Sequence, residues 1–318
     1  MTVSGEAASS PNAKITAIIP CKGSAEPLRA CLEGLAVQDL HEPYQVIVID
    51  GWMDQEVADV AGAFPFVTCV RSADNLVQSR ARNIGARVAA SEYLAFIDAD
   101  CIPDAGWLRG AVSALDAGVR LVGGPVLDAL PDNPFAVVDN FLQFAEMPAG
   151  RPEGPQPFFP ACNLAVRRDE FLELGGFPHT EVPAGEDTLF CVALARRHPP
   201  EASRFRPDVI VRHRGRETRA ALYAHQRFFG WVRASFAINL DPWKYRMGRW
   251  SFMMPIVMAA RLGYMVACTI RWSPERLGMV VRNLPLITVA LSHWAVGFRD
   301  GCRESREATT DVLTEPTP

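Results

Sequence analysis

Apolar residues fall into two regimes along the chain. Up to Asp100 they form short runs with almost no polar alternation: Lys14–Pro20 (KITAIIP), Gln45–Asp50 (QVIVID), Phe66–Arg71 (FVTCVR) and Tyr93–Asp98 (YLAFID). Such runs predict parallel strands covered on both faces. Helical spacing separates them, with Leu28, Cys31, Leu32 and Leu35 on one face and a second helix over Gln78–Ala90. Strand–helix–strand repetition predicts a doubly wound α/β sheet with right-handed crossovers.

Beyond Asp100 the rhythm loosens. Helices are expected over Trp107–Ala117, Asn133–Met147 and Arg219–Asn239, with another opening at Glu186. Strands are expected over Arg120–Leu127, interrupted by two glycines, near Asn163–Arg167, and over Asp208–Arg212. Pro148–Pro160 is dense in Pro and Gly and predicts a loop.

From Trp250 the pattern changes again. Phe252–Ile270 has Arg261 as its single charge, and Leu284–Phe298 is largely apolar. Neither is an uninterrupted run of the roughly 20 apolar residues that a simple spanning helix needs. Trp250, Arg271, Trp272, Trp294 and Arg299 flank them, and these residue types settle at a bilayer interface. Two readings stand: a helical hairpin lying in one leaflet, or a helical pair capping a soluble core. Charge favours the first. Trp243–Arg303 carries nine Lys/Arg and two Asp/Glu, a local balance of +7 in a chain of net −4, so the remainder carries −11. An acidic body with a basic, aromatic tail fits a protein on the cytoplasmic side of the plasma (inner) membrane, peripheral or monotopic. The same balance gives no case for nucleic-acid binding.

The eight cysteines show no CxxC pair, so buried reduced thiols are expected and a zinc site is not. Residues 1–13 are small and polar and predict a disordered leader, with a catalytic domain over 14–240, a helical membrane-associating region over 241–303 and a disordered tail over 304–318.

Two expected strands end in aspartate, at Asp50 and Asp98, and ligands of open α/β sheets bind beyond the carboxyl ends of the strands. Asp100 adds a carboxylate after the apolar strand YLAFI. Hard cations such as Mg²⁺ or Mn²⁺ take oxygen ligands from carboxylates and substrate phosphates, and a diphosphate leaving group needs that neutralisation. Gly185-Glu186-Asp187 opens a helix. Acids in a first turn are favoured by the helix dipole alone, and equally a carboxylate there could take a proton from an attacking hydroxyl. Lys22 follows the first strand within reach of a phosphate, Arg80 and Arg82 share the helix before Asp98, and His213 at a strand end is a candidate third metal ligand.

In this order the motifs become recognisable. ITAIIPCKG, QVIVID, RARNIGARVAASEYLAFIDADC, ACNLAVRRDEFLELGGF and GEDTLFCVALARR together resemble the family 2 glycosyltransferases over about Lys14–Trp231. The resemblance implies a GT-A fold with a doubly wound mixed sheet and a C-terminal helical, membrane-associating hairpin. It implies a nucleotide-sugar donor contacted by Pro20, Lys22, Asp50, Arg82, Asn83 and Asp98, and a substrate contact at Asn163. It also implies a metal on Asp100 with His213, and Asp187 with Glu186 as the catalytic pair, Asp187 being the base of an inverting transfer to a sugar or lipid-linked acceptor. The chain departs from the family at Asp50-Gly51-Trp52-Met53-Asp54, where Asp-Asp-Gly-Ser is common, and it lacks Gln-x-x-Arg-Trp, which favours transfer of a single sugar. The tail is similar to those of members that act in exopolysaccharide or glycolipid synthesis. A sugar-phosphate nucleotidyltransferase would need a glycine-rich loop where Pro20–Pro27 has one glycine, and an inactive partner protein would be expected to have lost one of the acids.

Overall fold

The four apolar runs form the parallel centre of a nine-stranded sheet in the computed structural model, which describes residues 2–4, 12–23, 25–179, 184–240 and 250–304. After β1 (Thr2–Ser4) come β2 (Ile15–Cys21), β3 (Tyr44–Asp50), β4 (Val67–Arg71) and β5 (Tyr93–Phe96). They lie in the order β1-β4-β3-β2-β5, with β2, β3, β4 and β5 parallel and β1 antiparallel on β4. Every residue of β2 is buried, which is why the run lacks polar alternation. Helices α1 (Ala25–Ala36) and α2 (Gln55–Gly62) connect β2 to β3 and β3 to β4, and α3 (Gln78–Val88) packs on β2 and β3. Because β5 pairs on the far side of β2, the winding reverses between β2 and β5, and a crevice opens beyond their carboxyl ends.

The sheet is mixed, as expected. β10 (Leu164–Arg167) runs antiparallel to β5 and β7 (Leu121–Gly123), and β11 (Ser203–Phe205) joins β7 to the short β9 (Gly154–Pro155). A second sheet places β12 (Val211–His213) between β6 (Cys101–Pro103) and β8 (Val126–Asp128). The expected strand Arg120–Leu127 therefore splits at Gly124-Pro125 and serves both sheets. Asn163, fully buried, holds this junction: its amide donates to the carbonyls of Pro125 (3.0 Å) and Val209 (2.9 Å) and accepts from the indole of Trp107 (2.9 Å). Tied in this way, the segment 208–210 stays out of the ladder, and the strand expected from Asp208 starts at Val211.

Helices α4 (Trp107–Asp116), α6 (Arg168–Glu173) and α7 (Glu186–Arg197) complete this unit. Phe96, Phe171, Phe177 and Phe190 stack with ring centroids 4.9 to 5.4 Å apart and fasten α6 and α7 to the end of β5.

The chain divides into two compact units, Met1–Ala129 with Ala149–His213, and Leu130–Pro148 with Arg214–Pro318. The boundary expected at residue 240 is not where this division falls. In the second unit α5 (Pro134–Phe144) and α8 (Arg219–Leu240) join α9 (Met254–Trp272), α10 (Leu277–Arg282) and α11 (Leu284–Glu304). Val138, Phe141 and Leu142 of α5 and Leu222 of α8 share one buried core with Met265, Ile287 and Leu291. The expected hairpin is thus part of a larger bundle. Among the described residues, Ser251–Trp272 is long and apolar enough to cross a membrane, and Pro274–Arg282 meets Leu284–Glu304 at an 80° bend. The strand Thr2–Ser4 lies within the expected loose leader; the rest of that leader up to residue 11, residues 180–183 before Glu186, and the tail from 305 lie outside the described residues.

Helices α8 and α11 touch backbone to backbone. A Cβ on Gly230 would lie 2.0 Å from the Trp294 carbonyl oxygen, and one on Gly297 1.9 Å from that of Arg227. Gly297→Val is therefore expected to destabilise the helical unit by about 1–3 kcal/mol or more. Hydrogen exchange across α8 and α11 checks this, and unchanged protection in the variant contradicts the crossing.

Candidate active site

The site is built on the end of β5. Ile97 continues the pairing through its N–H to the Ile18 carbonyl (3.2 Å), and the Cys101 N–H closes a turn onto the Asp98 carbonyl (3.0 Å). Asp98 and Asp100 emerge from this turn with side chains 23% and 28% exposed. The second sheet supplies the imidazole. β12 runs antiparallel to β6 with His213 opposite Cys101, and this register brings His213 Nε2 to 3.8 Å from Asp100 Oδ1. Ligand atoms of Asp100, Cys101 and His213 all lie within 4.8 Å of one another.

Arg82 of α3 joins the two acidic motifs. It is 2% exposed, and donates through Nη2 to Asp98 Oδ1 and through Nη1 to Glu186 Oε1, each at 2.5 Å. Burial opposes the guanidinium charge, but Asp98 and Glu186 outweigh it and hold the group above its ordinary range. Sequence reasoning expected Arg82 at the donor and Glu186 in catalysis. In the structure both are buried and pair with each other, and Arg82 also holds Asp98.

Gly185, at φ +90°, turns the chain into α7, so that Glu186 and Asp187 occupy its first turn. Glu186 is buried against Arg82, whereas Asp187 is half-buried and turned elsewhere. Its Oδ2 accepts from the Ala161 N–H (3.1 Å) and its Oδ1 from the Thr188 N–H (2.7 Å). Burial, with the adjacent Glu186 charge, pushes the Asp187 carboxyl up to about 6, against the pull of those N–H groups and Arg82.

A buried thiol marks where the acids converge. Cys162 shares a hydrogen bond with Cys101 that favours its thiolate. Burial and the charges of Asp98, Asp100 and Asp187 overcome this and hold the thiol above its usual range. Asp98, Asp100 and Asp187 thus act on one buried thiol, while Asp98 and Glu186 share the Arg82 guanidinium. Hard oxygen ligands from Asp100 and an imidazole from His213 fit Mg²⁺ or Mn²⁺. Burial and Cys162 raise the Cys101 thiol well above its usual range, so this side chain is the poorest donor of the three. All eight cysteines are buried thiols outside any disulfide.

The other expected ligands are placed differently. Asp50 is fully buried, and both its oxygens are taken: Oδ1 accepts from the N–H groups of Trp52 (3.0 Å) and Asp54 (3.2 Å), Oδ2 from Arg71 Nε (3.0 Å). It braces the loop after β3. Asn83 pairs through its amide with the N–H (2.9 Å) and carbonyl (2.8 Å) of Phe177, and Asn163 is spent on the strand junction. Pro20 is buried inside β2. Lys22 is exposed at the crevice, its ammonium 3.9 Å from the centroid of the Trp52 ring. Sequence reasoning missed Arg71, Trp107 and Cys162; the register Asp50↔Arg71 could have signalled the first.

A doubly wound sheet with an Asp-x-Asp turn at its switch point, a strand-end histidine and an acidic helix start defines a GT-A glycosyltransferase fold. The glycosyl transferase family 2 profile matches residues 16–175, half of the sequence, and the chain belongs to that family. The mannosyltransferase PcManGT from Pyrobaculum calidifontis, solved in complex with GDP-Man and Mn²⁺, superposes with a TM-score of 0.58 at 20% identity, over 94% of this chain and 90% of its own. S. aureus TarS gives 0.51 at 16% identity, over 92% of this chain and 55% of its own. Glycosyltransferase AglE of Haloferax volcanii is 28% identical over 180 residues, 54% of this chain and 58% of AglE. The pre-mycofactocin glycosyltransferase of Mycobacterium tuberculosis is 25% identical over 233 residues, 71% of this chain and 48% of its own. The chain therefore spans about half the length of the curated relatives it matches.

Removing Arg82 leaves Glu186 buried without a counter-charge. Arg82→Met is expected to destabilise the α/β unit by about 3–5 kcal/mol. Urea denaturation followed by a probe in that unit measures it, and a loss below about 1 kcal/mol, the range of a surface pair, contradicts the clamp.

Proposed function

We propose that the protein transfers a single sugar from a nucleotide-sugar donor to an acceptor hydroxyl, with inversion, and that Asp187 is the general base. The observation that carries this is the contrast within one helical turn. Glu186 is neutralised by Arg82, while Asp187 stays half-open with its carboxyl held up to about 6. A carboxyl so placed is ionised at neutral pH and a stronger base than an ordinary aspartate. The acceptor oxygen attacks the anomeric carbon as its proton passes to Asp187, and the bond from that carbon to the diphosphate oxygen breaks on the opposite face. Asp98, fixed by Arg82, orients the donor, and Asp100 and His213 would hold the divalent cation. A cation bound there neutralises the charge that builds on the departing diphosphate. Lys22, exposed at the same crevice, adds a positive charge for the phosphates.

The acceptor proposed is lipid-linked, and the place of work the cytoplasmic face of a membrane. The support is Ser251–Trp272, with Phe252 72% and Ile256 55% exposed.

Asp187→Asn is expected to leave nucleotide-sugar binding within about twofold and to lower turnover by about 10²–10⁴-fold, the usual contribution of a general base. A donor screen with UDP-, GDP- and TDP-sugars plus Mn²⁺ gives the assay, and turnover that persists in the variant removes Asp187 from the role. Separately, Asp100→Ala is expected to abolish Mn²⁺-dependent nucleotide binding in calorimetry, and unchanged affinity with metal present contradicts the ligand set.

A further inference from the structure

The loop after β3 puts an indole in the open. Trp52 is 45% exposed, and among the described residues no other Trp, Tyr or Phe of the α/β unit is an exposed side chain. It falls where the chain departs from the family pattern, at Asp50-Gly51-Trp52-Met53-Asp54. A single exposed Trp on a loose loop would mean little. This loop is held. Asp50 Oδ1 accepts from the N–H groups of Trp52 and Asp54, and Asp54 caps α2 by accepting from the Glu56 N–H (2.9 Å). The Gly51 N–H donates to the Cys21 carbonyl (3.4 Å), and the Gly51 carbonyl accepts from the Leu76 N–H (3.2 Å). Met53 takes φ +57° between them, a conformation that favours glycine, so the loop keeps its shape at a cost.

Register supplies the neighbour. Cys21 pairs with Asp50 at the ends of β2 and β3, so Lys22 and Trp52 leave the sheet side by side, and the Lys22 ammonium covers one face of the indole. Strand β5, which leads to Asp98 and Asp100, lies two strands from β3 across β2. At ordinary strand spacing that is about 10 Å, comparable with the reach of a nucleoside diphosphate from its base to its phosphates. A base can be held by its edge or by its face. The Asp50 side chain is 0% exposed and engaged by Arg71 and the loop, so it cannot meet a base edge. The face of Trp52 can be met.

Magnitudes decide which group keeps the ring. A cation–π contact at an exposed site is worth about two- to fivefold in affinity. A base stacked on an aromatic side chain is worth about tenfold to a hundredfold. The base therefore displaces the ammonium, which finds a partner of opposite charge in the diphosphate.

The geometry points to an exchange of partners: the donor's base takes the face of Trp52 that Lys22 covers, and the Lys22 ammonium moves to the diphosphate. The inference rests on the nucleotide-sugar reading above and names the residue that holds the base.

Calorimetry on the full-length protein with Mn²⁺ tests it, using GDP, UDP and inorganic pyrophosphate as probes. Trp52→Ala is expected to weaken both nucleotides about tenfold, the stack less the ammonium it displaces. The same variant is expected to bind pyrophosphate about two- to fivefold more tightly, because the ammonium no longer has a ring to leave. Trp52→Phe, with a smaller ring, is expected to recover most of the nucleotide loss. Lys22→Met is expected to weaken all three probes alike, by about tenfold, the worth of one charge-assisted contact. Nucleotide affinity unchanged in Trp52→Ala, or pyrophosphate weakened there as much as GDP, overturns the exchange and leaves the donor reading standing. Pyrophosphate affinity unchanged in Lys22→Met overturns it as well. A change in self-association of Trp52→Ala, with nucleotide affinity kept, assigns the ring to a second copy of the chain and overturns the base contact. Failure of the natural protein to bind any of the three probes overturns both the exchange and the donor reading.

Discussion

Arg82 is the interaction on which the acidic site depends. It ties the turn after β5 to the first turn of α7, two segments far apart in sequence, through one fully buried guanidinium. Without it, the buried Glu186 would be left without the counter-charge it shares with Asp98. The guanidinium neutralises one carboxylate of each motif, Asp98 of the first and Glu186 of the second. The four-phenylalanine cluster beneath does the corresponding apolar work, fixing α7 against β5 so that the clamp has two rigid ends.

The two acids left over face different tasks because their surroundings differ. Asp100 sits by His213 on a turn between the sheets, an arrangement of hard and borderline ligands suited to a divalent ion. Asp187 is half-buried beside Glu186, and its lost hydration together with that neighbouring charge raises its affinity for a proton. In the proposed reading, environment separates a ligand, Asp100, from a base, Asp187, among carboxylates of one chemical type.

Much of this was legible in the sequence because burial leaves a pattern. The runs KITAIIP, QVIVID, FVTCVR and YLAFID became the parallel centre of the sheet, since strands covered on both faces cannot carry alternating polar residues. The Asp98-Ala99-Asp100 and Glu186-Asp187 motifs came together as their order implied. Short elements were not legible: α2, β6, α6 and β11 span three to eight residues, too few for a period to show. Nor could sequence reveal which polar residues spend themselves internally. Asp50, Asn83 and Asn163 have the chemistry of ligands, yet their partners are Arg71, the Phe177 backbone and the Trp107 indole with two carbonyls, all set by tertiary contact. The compact units divide the chain elsewhere than at residue 240, for a related reason. Helix periodicity shows that α5 and α8 have apolar faces but not that those faces meet α9 and α11.

The central claim is that Glu186, held by Arg82, tunes Asp187 as the base. The most direct measurement is the pH dependence of kcat/KM for the natural protein and for Glu186→Gln. Asp187 holds its proton below about pH 6, so activity is expected to fall tenfold per pH unit on the acid side of that value. Removing the Glu186 charge favours the ionised Asp187, so the acid limb of the variant is expected at lower pH. A limb that stays in place, or moves to higher pH, contradicts the account.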